Sequence, residues 1–373
     1  MLTPLTSLRF FAAVGVVLFH MANRWGMPPP KSMPFGVGVD LFFVLSGFIL
    51  AYNYPIIHGL GSSLKLIGYR IARIWPLNIV TLIAAFVLLW NPADPFKDIS
   101  KAWASVLLIQ AWFGNHLYAF NGNSVGWSLS VELAFYIVFP FLIMLSSHMV
   151  AVVTAALTIA TLLWADTYWV TVGFSDNVTS GTGIMMQHPG AFLVQFSAGI
   201  LAARAFLRTD WRGLSSRSAM ALELLAAALC VFYFFYNRRL VNASFLYLDL
   251  DAGPLFYLLR NAFGIVFFLP IIFVLAVGKG GLSAVLRNRV LVFAGEISFA
   301  TYMCHAIIIG PMEKSGLDGT AAIIVYLAAV YAVSALLHFT IELPGQRWMR
   351  GGVDTIEARL VRIWSRCRKR QEV

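Results

Sequence analysis

Long apolar runs alternate with short polar stretches along the chain from Leu5 to Ile341. The runs are roughly 17 to 25 residues long, which is the length of an α-helix that crosses the hydrocarbon core of a bilayer. Strands of a membrane barrel would instead show short segments in which apolar and polar residues alternate. The pattern predicts ten spanning helices, at residues 7–26, 36–54, 71–90, 128–147, 149–166, 190–207, 218–236, 258–278, 290–310 and 320–340.

One apolar stretch, Ile99–Trp112, is too short to span a bilayer comfortably. If it were a further span, every later loop would lie on the opposite side of the membrane. We therefore interpret residues 99–112 as a re-entrant or interfacial segment. The predicted fold is therefore an all-α polytopic membrane bundle of about ten transmembrane helices at residues 1–346. Residues 347–373 are expected to form a basic cytoplasmic tail whose amphipathic helix lies on the inner leaflet.

Composition and charge agree with a membrane protein. The chain has 373 residues, of which 60% are hydrophobic and only 12% charged, and its mean hydropathy of +0.78 excludes a soluble domain of this size. The pI of about 9.7 could indicate nucleic-acid binding, but the basic residues lie mainly in the loops and the tail. With a cytoplasmic N-terminus, 19 of the 27 lysines and arginines fall on the inner side, as the positive-inside rule requires. Both termini are therefore expected in the cytoplasm, and nucleic acid is not an expected partner.

The cysteine and histidine spacings do not indicate a disulfide framework or a metal site. Cys230, Cys304 and Cys367 lie in separate segments without CxxC spacing, and no HExxH pattern occurs. We therefore expect the cysteines to be small packing residues and the protein to function without a metal ion.

His20 lies inside the first predicted helix, eleven residues after Arg9. At 100° per residue this spacing brings both side chains to one face, and at 1.5 Å per residue it separates them by roughly 16 Å along the axis. Arg9 is then near the cytoplasmic interface and His20 is well inside the membrane. A buried imidazole is costly unless it lines a polar cavity, so His20 either caps a neighbouring helix carbonyl or acts as a general base or nucleophile.

Arg70 and Arg73 lie three residues apart at the inner start of the third predicted helix and point in the same direction. Paired guanidinium groups suit phosphate, although arginines at this depth also bind lipid headgroups. In the second predicted helix, Ser46 and Gly47 are small enough to let either another helix or a ligand approach the backbone closely.

Two carboxylates, Asp40 and Glu132, are placed near the outer ends of the second and fourth predicted helices. Ser128 precedes Glu132 by four residues, so the hydroxyl and the carboxylate share a face. The carboxylates could hold the hydroxyl groups of a sugar or orient His20. Glu132 could also simply interact with the dipole at the start of its helix.

The ninth predicted helix carries a polar stripe on an otherwise apolar segment. Ser298, Tyr302 and His305 follow i, i+4, i+7 spacing and are predicted to face the interior of the bundle. The stripe either touches substrate or ties helices together, and the spacing favours the second interpretation slightly.

In this order along the chain, the motifs resemble those of the acyltransferase-3 membrane proteins, which O-acylate extracytoplasmic glycans and some small molecules. The resemblance covers nearly the whole chain. It rests on Arg9 with His20, FFxxSGF at Phe42–Phe48, RxxR at Arg70–Arg73, WSLxxE at Trp127–Glu132 and ExP at Glu342–Pro344.

This resemblance implies a membrane O-acyltransferase of the bacterial inner membrane, in a stand-alone form without the fused SGNH hydrolase-like domain of some members. The implied donor is cytoplasmic acyl-CoA, most simply acetyl-CoA, and the acceptor is a glycan or another hydroxyl compound. Membrane lipids are expected partners and a homodimer is a possible assembly. The expected roles are catalysis by His20 and Glu132, donor binding by Arg9, Arg70, Arg73 and Ser46, and acceptor binding by Asp40, Ser128 and Tyr302.

A proton-coupled transporter of an anionic or sugar substrate is the competing hypothesis, because polar residues inside spanning helices suit a proton relay as well. His20 and Glu132 would then carry protons and the arginines would line an anion pathway. The sequence contains no inverted repeat and no matched pair of broken helices to favour this hypothesis. A non-catalytic scaffold would leave His20 without a role.

Overall fold

Helices form nearly all of the protein that the computed structural model describes, namely residues 2–24, 37–169, 176–248, 253–317 and 319–371. No β-strand occurs in these ranges. The α-helices, in chain order, are α1 (Thr3–Arg24), α2 (Val37–Asn53), α3 (Gly59–Leu88), α4 (Ala102–Val106), α5 (His116–Ala119), α6 (Trp127–Met144), α7 (Ser147–Thr167), α8 (Gly181–Gln187), α9 (Leu193–Arg208), α10 (Ser216–Leu248), α11 (Pro254–Phe263), α12 (Ile265–Val277), α13 (Gly281–Leu286), α14 (Arg289–Glu296), α15 (Ser298–Lys314), α16 (Gly319–Leu337) and α17 (Leu343–Gln371).

The predicted spans are all present as apolar helices. Within the described ranges, eight helical stretches are long and apolar enough to cross a membrane, and α14 with α15, which meet at a bend of 60°, make a ninth. The remaining apolar helix, α2, has 17 residues. These stretches coincide with the ten segments predicted from hydropathy, so the all-α polytopic bundle is confirmed.

Two of the helices extend well past their predicted ends. α3 begins at Gly59 instead of residue 71, and α10 continues to Leu248 instead of ending near residue 236. The early start of α3 has a tertiary cause, because Lys65 on its first turns forms ion pairs with Glu357 and Asp354 of α17, at 2.6 and 3.2 Å. Hydropathy alone could not predict this extension, since the added turns of α3 are stabilised by polar contacts with a distant segment.

The short apolar segment at residues 99–112 does not span the bundle. Its only α-helix is the five-residue α4, which is followed by a turn in which Leu108 has a φ of +58°. Side chains of α3 bind its backbone, since Trp75 donates to the carbonyl of Val106 at 3.0 Å and Asn78 donates to that of Ser105 at 2.9 Å. The prediction of a non-spanning segment is therefore confirmed, and α3 holds it in place.

At the centre of the bundle, α2 packs closely against α9. A Cβ atom on Gly47 would lie 2.0 Å from the carbonyl oxygen of Phe196, and one on Gly199 would lie 2.1 Å from that of Val44. Both glycines are therefore needed to let the two backbones approach each other. Of the two roles considered for Gly47, contact with a neighbouring helix is the one that the structure shows.

The last span continues directly into the basic segment. A π-helical turn, His338–Glu342, joins α16 to α17, and within it His338 Nδ1 lies 2.8 Å from the buried carboxylate of Glu342. Gly345, at the start of α17, sits against the ring of Pro76 on α3. Residues 347–371 of the predicted tail are thus helical, and the beginning of their helix packs on α3, while residues 372 and 373 lie outside the described residues.

Candidate active site

The first cavity, which we call the arginine cavity, lies between α1, α2, α3, α6 and α15. It has a volume of about 220 Å³, and its lining includes Arg9, Arg70 and Arg73 together with a single carboxylate, Glu132, among the described residues. Arg70 is held over the rings of Tyr54 and Tyr136, 5.7 and 5.8 Å from their centroids. The excess of positive charge suits a ligand that carries several negative charges, such as a phosphate ester.

The second cavity, which we call the histidine cavity, has a volume of about 210 Å³ and is lined by His20 and Asp40. Its other polar residues include Arg260 and Gln187. Neither Arg260 nor Gln187 was singled out from the sequence, because each belongs to a segment without a recognisable motif. They add a cation and an acceptor to the cavity that contains the imidazole.

Tyr302 lies between the two cavities, since it and Val39 line both of them. The Tyr302 hydroxyl donates to the carbonyl of Val125 at 3.0 Å and accepts from the Ser128 hydroxyl at 2.9 Å. Ser128 and Tyr302, two of the three residues predicted to bind the acceptor, therefore contact each other. Their bonds fix the tyrosine ring as a partition between the arginines and His20.

The polar stripe on α15 faces the interior of the bundle, as its spacing predicted. Ser298, Tyr302 and His305 are 1%, 6% and 0% exposed. Their side chains reach different parts of the site, because Ser298 lines the arginine cavity and Tyr302 lines both cavities, whereas His305 contacts His20. Sequence spacing thus identified the face correctly but not the partner of its last residue.

His20 and His305 form a hydrogen-bonded pair of imidazoles. His305 Nε2 lies 3.2 Å from His20 Nδ1, and the ring centroids are 4.9 Å apart. The other nitrogen of His305, Nδ1, lies 2.7 Å from the carbonyl oxygen of Tyr302, and His20 Nδ1 lies 3.0 Å from that of Val16. These backbone carbonyls determine where the ring protons are.

The protons follow from the fact that a carbonyl oxygen can only accept a hydrogen bond. His305 Nδ1 must therefore carry the proton of its ring, which leaves Nε2 of the neutral ring as an acceptor. His20 Nδ1 faces two acceptors, His305 Nε2 and the Val16 carbonyl, and so carries the proton of the second ring. The Nε2 atom of His20 is then the lone-pair nitrogen of a ring that lines the histidine cavity.

The remaining predicted residues divide between the cavities. Ser46 lines the arginine cavity. Glu132 also lies there, on one face of α6 with Ser128 and Tyr136, and it accepts a hydrogen bond from the Tyr136 hydroxyl. In the histidine cavity, the carboxylate that lies in the lining with His20 is that of Asp40. A role for Glu132 as the partner of His20 therefore stays a prediction, and the structure places His305 in that position.

A third and larger cavity, which we call the vestibule, adjoins the histidine cavity. It has a volume of about 600 Å³ and shares His20, Phe120 and Ser124 with that cavity. Its far wall includes Trp90, which follows the end of α3, whereas Arg70 and Arg73 lie twenty and seventeen residues earlier. At 1.5 Å per helical residue, Trp90 lies roughly 25 to 30 Å from Arg73 and Arg70 along the axis of α3, a distance close to the thickness of a bilayer core.

Comparison with known proteins indicates the family of the chain. A family model described as an acyltransferase domain matches residues 5–339. An acyltransferase of Streptomyces mycarofaciens, MdmB, is 28% identical over 386 aligned residues, which cover 93% of this chain and 92% of the relative. A putative acetyltransferase of Acidianus two-tailed virus is 25% identical, with 88% of each chain covered. The O-acetyltransferase OatA of Staphylococcus aureus is 26% identical over 39% of this chain and 25% of its own length. No solved structure matches the chain.

The helical bundle, its buried site and these matches define an integral membrane O-acyltransferase. The chain belongs to the acyltransferase-3 family, whose model covers nearly all of it. The resemblance found in the motifs is therefore confirmed, and the enzyme is favoured over the transporter that the buried polar residues had left open.

Proposed function

We propose that the enzyme moves an acyl group, most simply acetyl, from cytoplasmic acyl-CoA to a hydroxyl group of a glycan on the opposite side of the bacterial inner membrane. The observation that supports this proposal most directly is the sequence of cavities. The arginines line one end, His20 lines the middle, and the vestibule adjoins His20 from the other end. A donor and an acceptor could therefore reach the same imidazole from opposite compartments.

The arginine cavity is the proposed donor site. Arg9, Arg70 and Arg73 offer their guanidinium groups to the phosphates of CoA, while the thin pantetheine arm extends past Val39 and Tyr302 toward His20. The positive-inside rule gives the orientation of the bundle in the membrane. Positive charges of the loops favour a cytoplasmic position for this end of the bundle, so both chain termini lie on the donor side.

The chemical step that we propose uses His20 Nε2. In the direct route His20 Nε2 takes the proton of the acceptor hydroxyl group while the hydroxyl oxygen attacks the thioester carbonyl. A C–O bond forms and the C–S bond breaks. The proton then passes from His20 to the departing CoA sulfur. In the two-step route His20 Nε2 attacks first, so that a C–N bond forms, the C–S bond breaks and CoA leaves as a thiolate. The hydroxyl oxygen then attacks the acyl carbon, the C–N bond breaks, and the hydroxyl proton passes to the CoA sulfur. In both routes His305 accepts a hydrogen bond from His20 Nδ1 and stabilises the positive charge that develops on the ring.

The test is acyl transfer by the purified protein with His20 replaced. Incubation with labelled acetyl-CoA and a mixture of candidate glycans should give CoA release and a labelled glycan with the wild type. His20→Ala should lower the rate by about 10² to 10⁴-fold, as expected for loss of a general base, while the protein remains folded in membranes. His148→Ala is the matched control, because His148 is exposed on α7 away from the cavities. Transfer by His20→Ala at the rate of that control would contradict the proposal.

A further inference from the structure

The vestibule differs in charge from the arginine cavity. Its charged lining residues are two acids, Asp94 and Glu313, and two lysines, Lys97 and Lys314, so these formal charges cancel among the described residues. The arginine cavity instead has three arginines and one acid. The arginine cavity therefore favours a ligand with several negative charges, and the vestibule favours an uncharged ligand.

The vestibule also combines aromatic and polar groups, which is unlike a site for a purely apolar alcohol. Phe96, Phe120 and Trp90 contribute rings to its lining, and Asn91 with Asp94 contributes polar groups. Trp90 lines the vestibule and is 49% exposed, so about half of its surface is not covered by other residues. A pyranose has the matching surfaces, because its C–H face packs on an aromatic ring and its hydroxyl groups hydrogen-bond to carboxylates and amides.

One wall of the vestibule is held rigidly by hydrogen bonds. The Lys97 ammonium group donates to the carbonyl of Gly122 at 2.6 Å, and Asp98 and Asn121 exchange two hydrogen bonds of 3.1 and 2.9 Å. Lys101 donates to Asp98 and lowers the pKa of that carboxyl from 3.8 to about 2, so the carboxylate remains charged at physiological pH. Preformed walls reduce the entropy lost when a ligand binds.

The volume of the vestibule is in the range of sites that bind small molecules such as a pyranose. Small-molecule sites occupy roughly 300 to 1,000 Å³, and the vestibule, at about 600 Å³, is nearly three times as large as the histidine cavity. At Gly310 a Cβ atom would lie 2.4 Å from Leu89 Cδ2, so α15 and the end of α3 converge on one side of the vestibule. His20 lines the same cavity and could receive a hydroxyl group from a ring bound there.

We propose that the vestibule is the acceptor site and that it binds an uncharged hexopyranose unit stacked on the indole of Trp90, with Asn91 and Asp94 near its hydroxyl groups. This proposal rests on the acyl transfer described above. It assigns to Trp90 a specificity-determining role that no motif in the sequence indicated.

The experiment measures acceptor kinetics with the full-length protein in lipid nanodiscs, at saturating labelled acetyl-CoA. The acceptor probes are methyl glucoside, methyl galactoside and methyl mannoside, with methyl glucuronide as a charged sugar and cyclohexanol as an apolar alcohol. We expect acetylation of at least one neutral hexoside. Trp90→Ala should raise the KM for that hexoside about tenfold and leave the KM for acetyl-CoA unchanged, and Trp90→Phe should recover most of the loss.

Trp103→Ala is the matched control. Trp103 is 46% exposed, nearly the same as Trp90, but it does not line the vestibule. If Trp90 only anchored the protein at the membrane interface, both alanine variants would change stability and neither would change acceptor KM selectively. A KM within twofold of the wild type in Trp90→Ala, preference for the glucuronide or cyclohexanol, or acetyl-CoA hydrolysis without any acetylated hexoside would each overturn the proposal.

Failure of this proposal can be distinguished from failure of the proposed function. His20-dependent consumption of acetyl-CoA together with unchanged acceptor kinetics in Trp90→Ala would refute only the vestibule as the acceptor site. Absence of His20-dependent consumption of the thioester would refute the acyl transfer itself.

Discussion

Replacing His305 with alanine should slow catalysis without weakening donor binding. His305 Nε2, 3.2 Å from His20 Nδ1, is the acceptor that helps to keep the proton of His20 on Nδ1. Without it, the His20 ring can rotate or adopt the other tautomer, and the charge that develops when Nε2 takes a proton loses a hydrogen bond. We therefore treat His305 as a positioning residue, since it acts on substrate only through His20.

The expected magnitude follows from that one contact. A hydrogen bond to a charged group contributes about 1.5–3 kcal/mol. If the bond gains this strength only in the transition state, its loss lowers kcat by about 10- to 160-fold. The KM for acyl-CoA should change little, because the arginines that we assign to the phosphates lie beyond Tyr302 from His305.

The assay is the release of free CoA thiol, followed over a range of acetyl-CoA concentrations so that kcat and KM are separated. His305→Gln should recover part of the activity, because its amide can donate to the Tyr302 carbonyl while its oxygen accepts from His20. Cys304→Ala is the control, since Cys304 is equally buried on α15 but contacts Ser334 of α16. A kcat for folded His305→Ala within twofold of the wild type, or a loss that His305→Gln does not reduce, would refute the reasoning.

Two further predictions test the donor site and the packing of the bundle. Arg73→Gln should raise the KM for acetyl-CoA by about 10- to 100-fold, because a charge-assisted hydrogen bond to a phosphate is lost. The KM for S-acetyl-N-acetylcysteamine, a thioester without phosphates, should stay unchanged. Equal effects on both donors would contradict phosphate binding at Arg73. Gly47→Ala should destabilise the protein by at least about 1–3 kcal/mol, because its methyl group would meet the Phe196 backbone. Gly61→Ala, which has no atom within 4 Å of the new Cβ, should raise the melting temperature slightly or leave it unchanged, and a similar fall for both variants would contradict the packing argument.

The hydropathy pattern predicted the spans because the length of an apolar run is enough to identify a spanning helix, whatever helices pack against it. Helix ends were predicted less well, because they depend on contacts with distant parts of the chain. The first turns of α3 contain Lys65, whose partners Asp354 and Glu357 are almost 300 residues away in the chain, and nothing near Lys65 indicates that pairing.

The same distinction applies to the site. The helical spacing of Arg9 and His20, and that of Ser298, Tyr302 and His305, predicted which residues share a face. It could not predict that His305 contacts His20, because that contact joins positions 285 residues apart. Glu132 was associated with His20 from its position near a helix end, whereas its face of α6 turns toward the arginines. Contacts between distant helices depend on tertiary packing, which periodicity along one helix does not contain.

The partition at Tyr302 has a consequence for the cell that houses the enzyme. A continuous water-filled channel across a membrane would let protons leak and would dissipate an electrochemical gradient. The ring of Tyr302, held by hydrogen bonds with Ser128 and the Val125 carbonyl, lines both the arginine cavity and the histidine cavity. An enzyme with a series of buried polar cavities inside a membrane therefore also has to limit proton leakage, and the Tyr302 ring lies where two of these cavities meet.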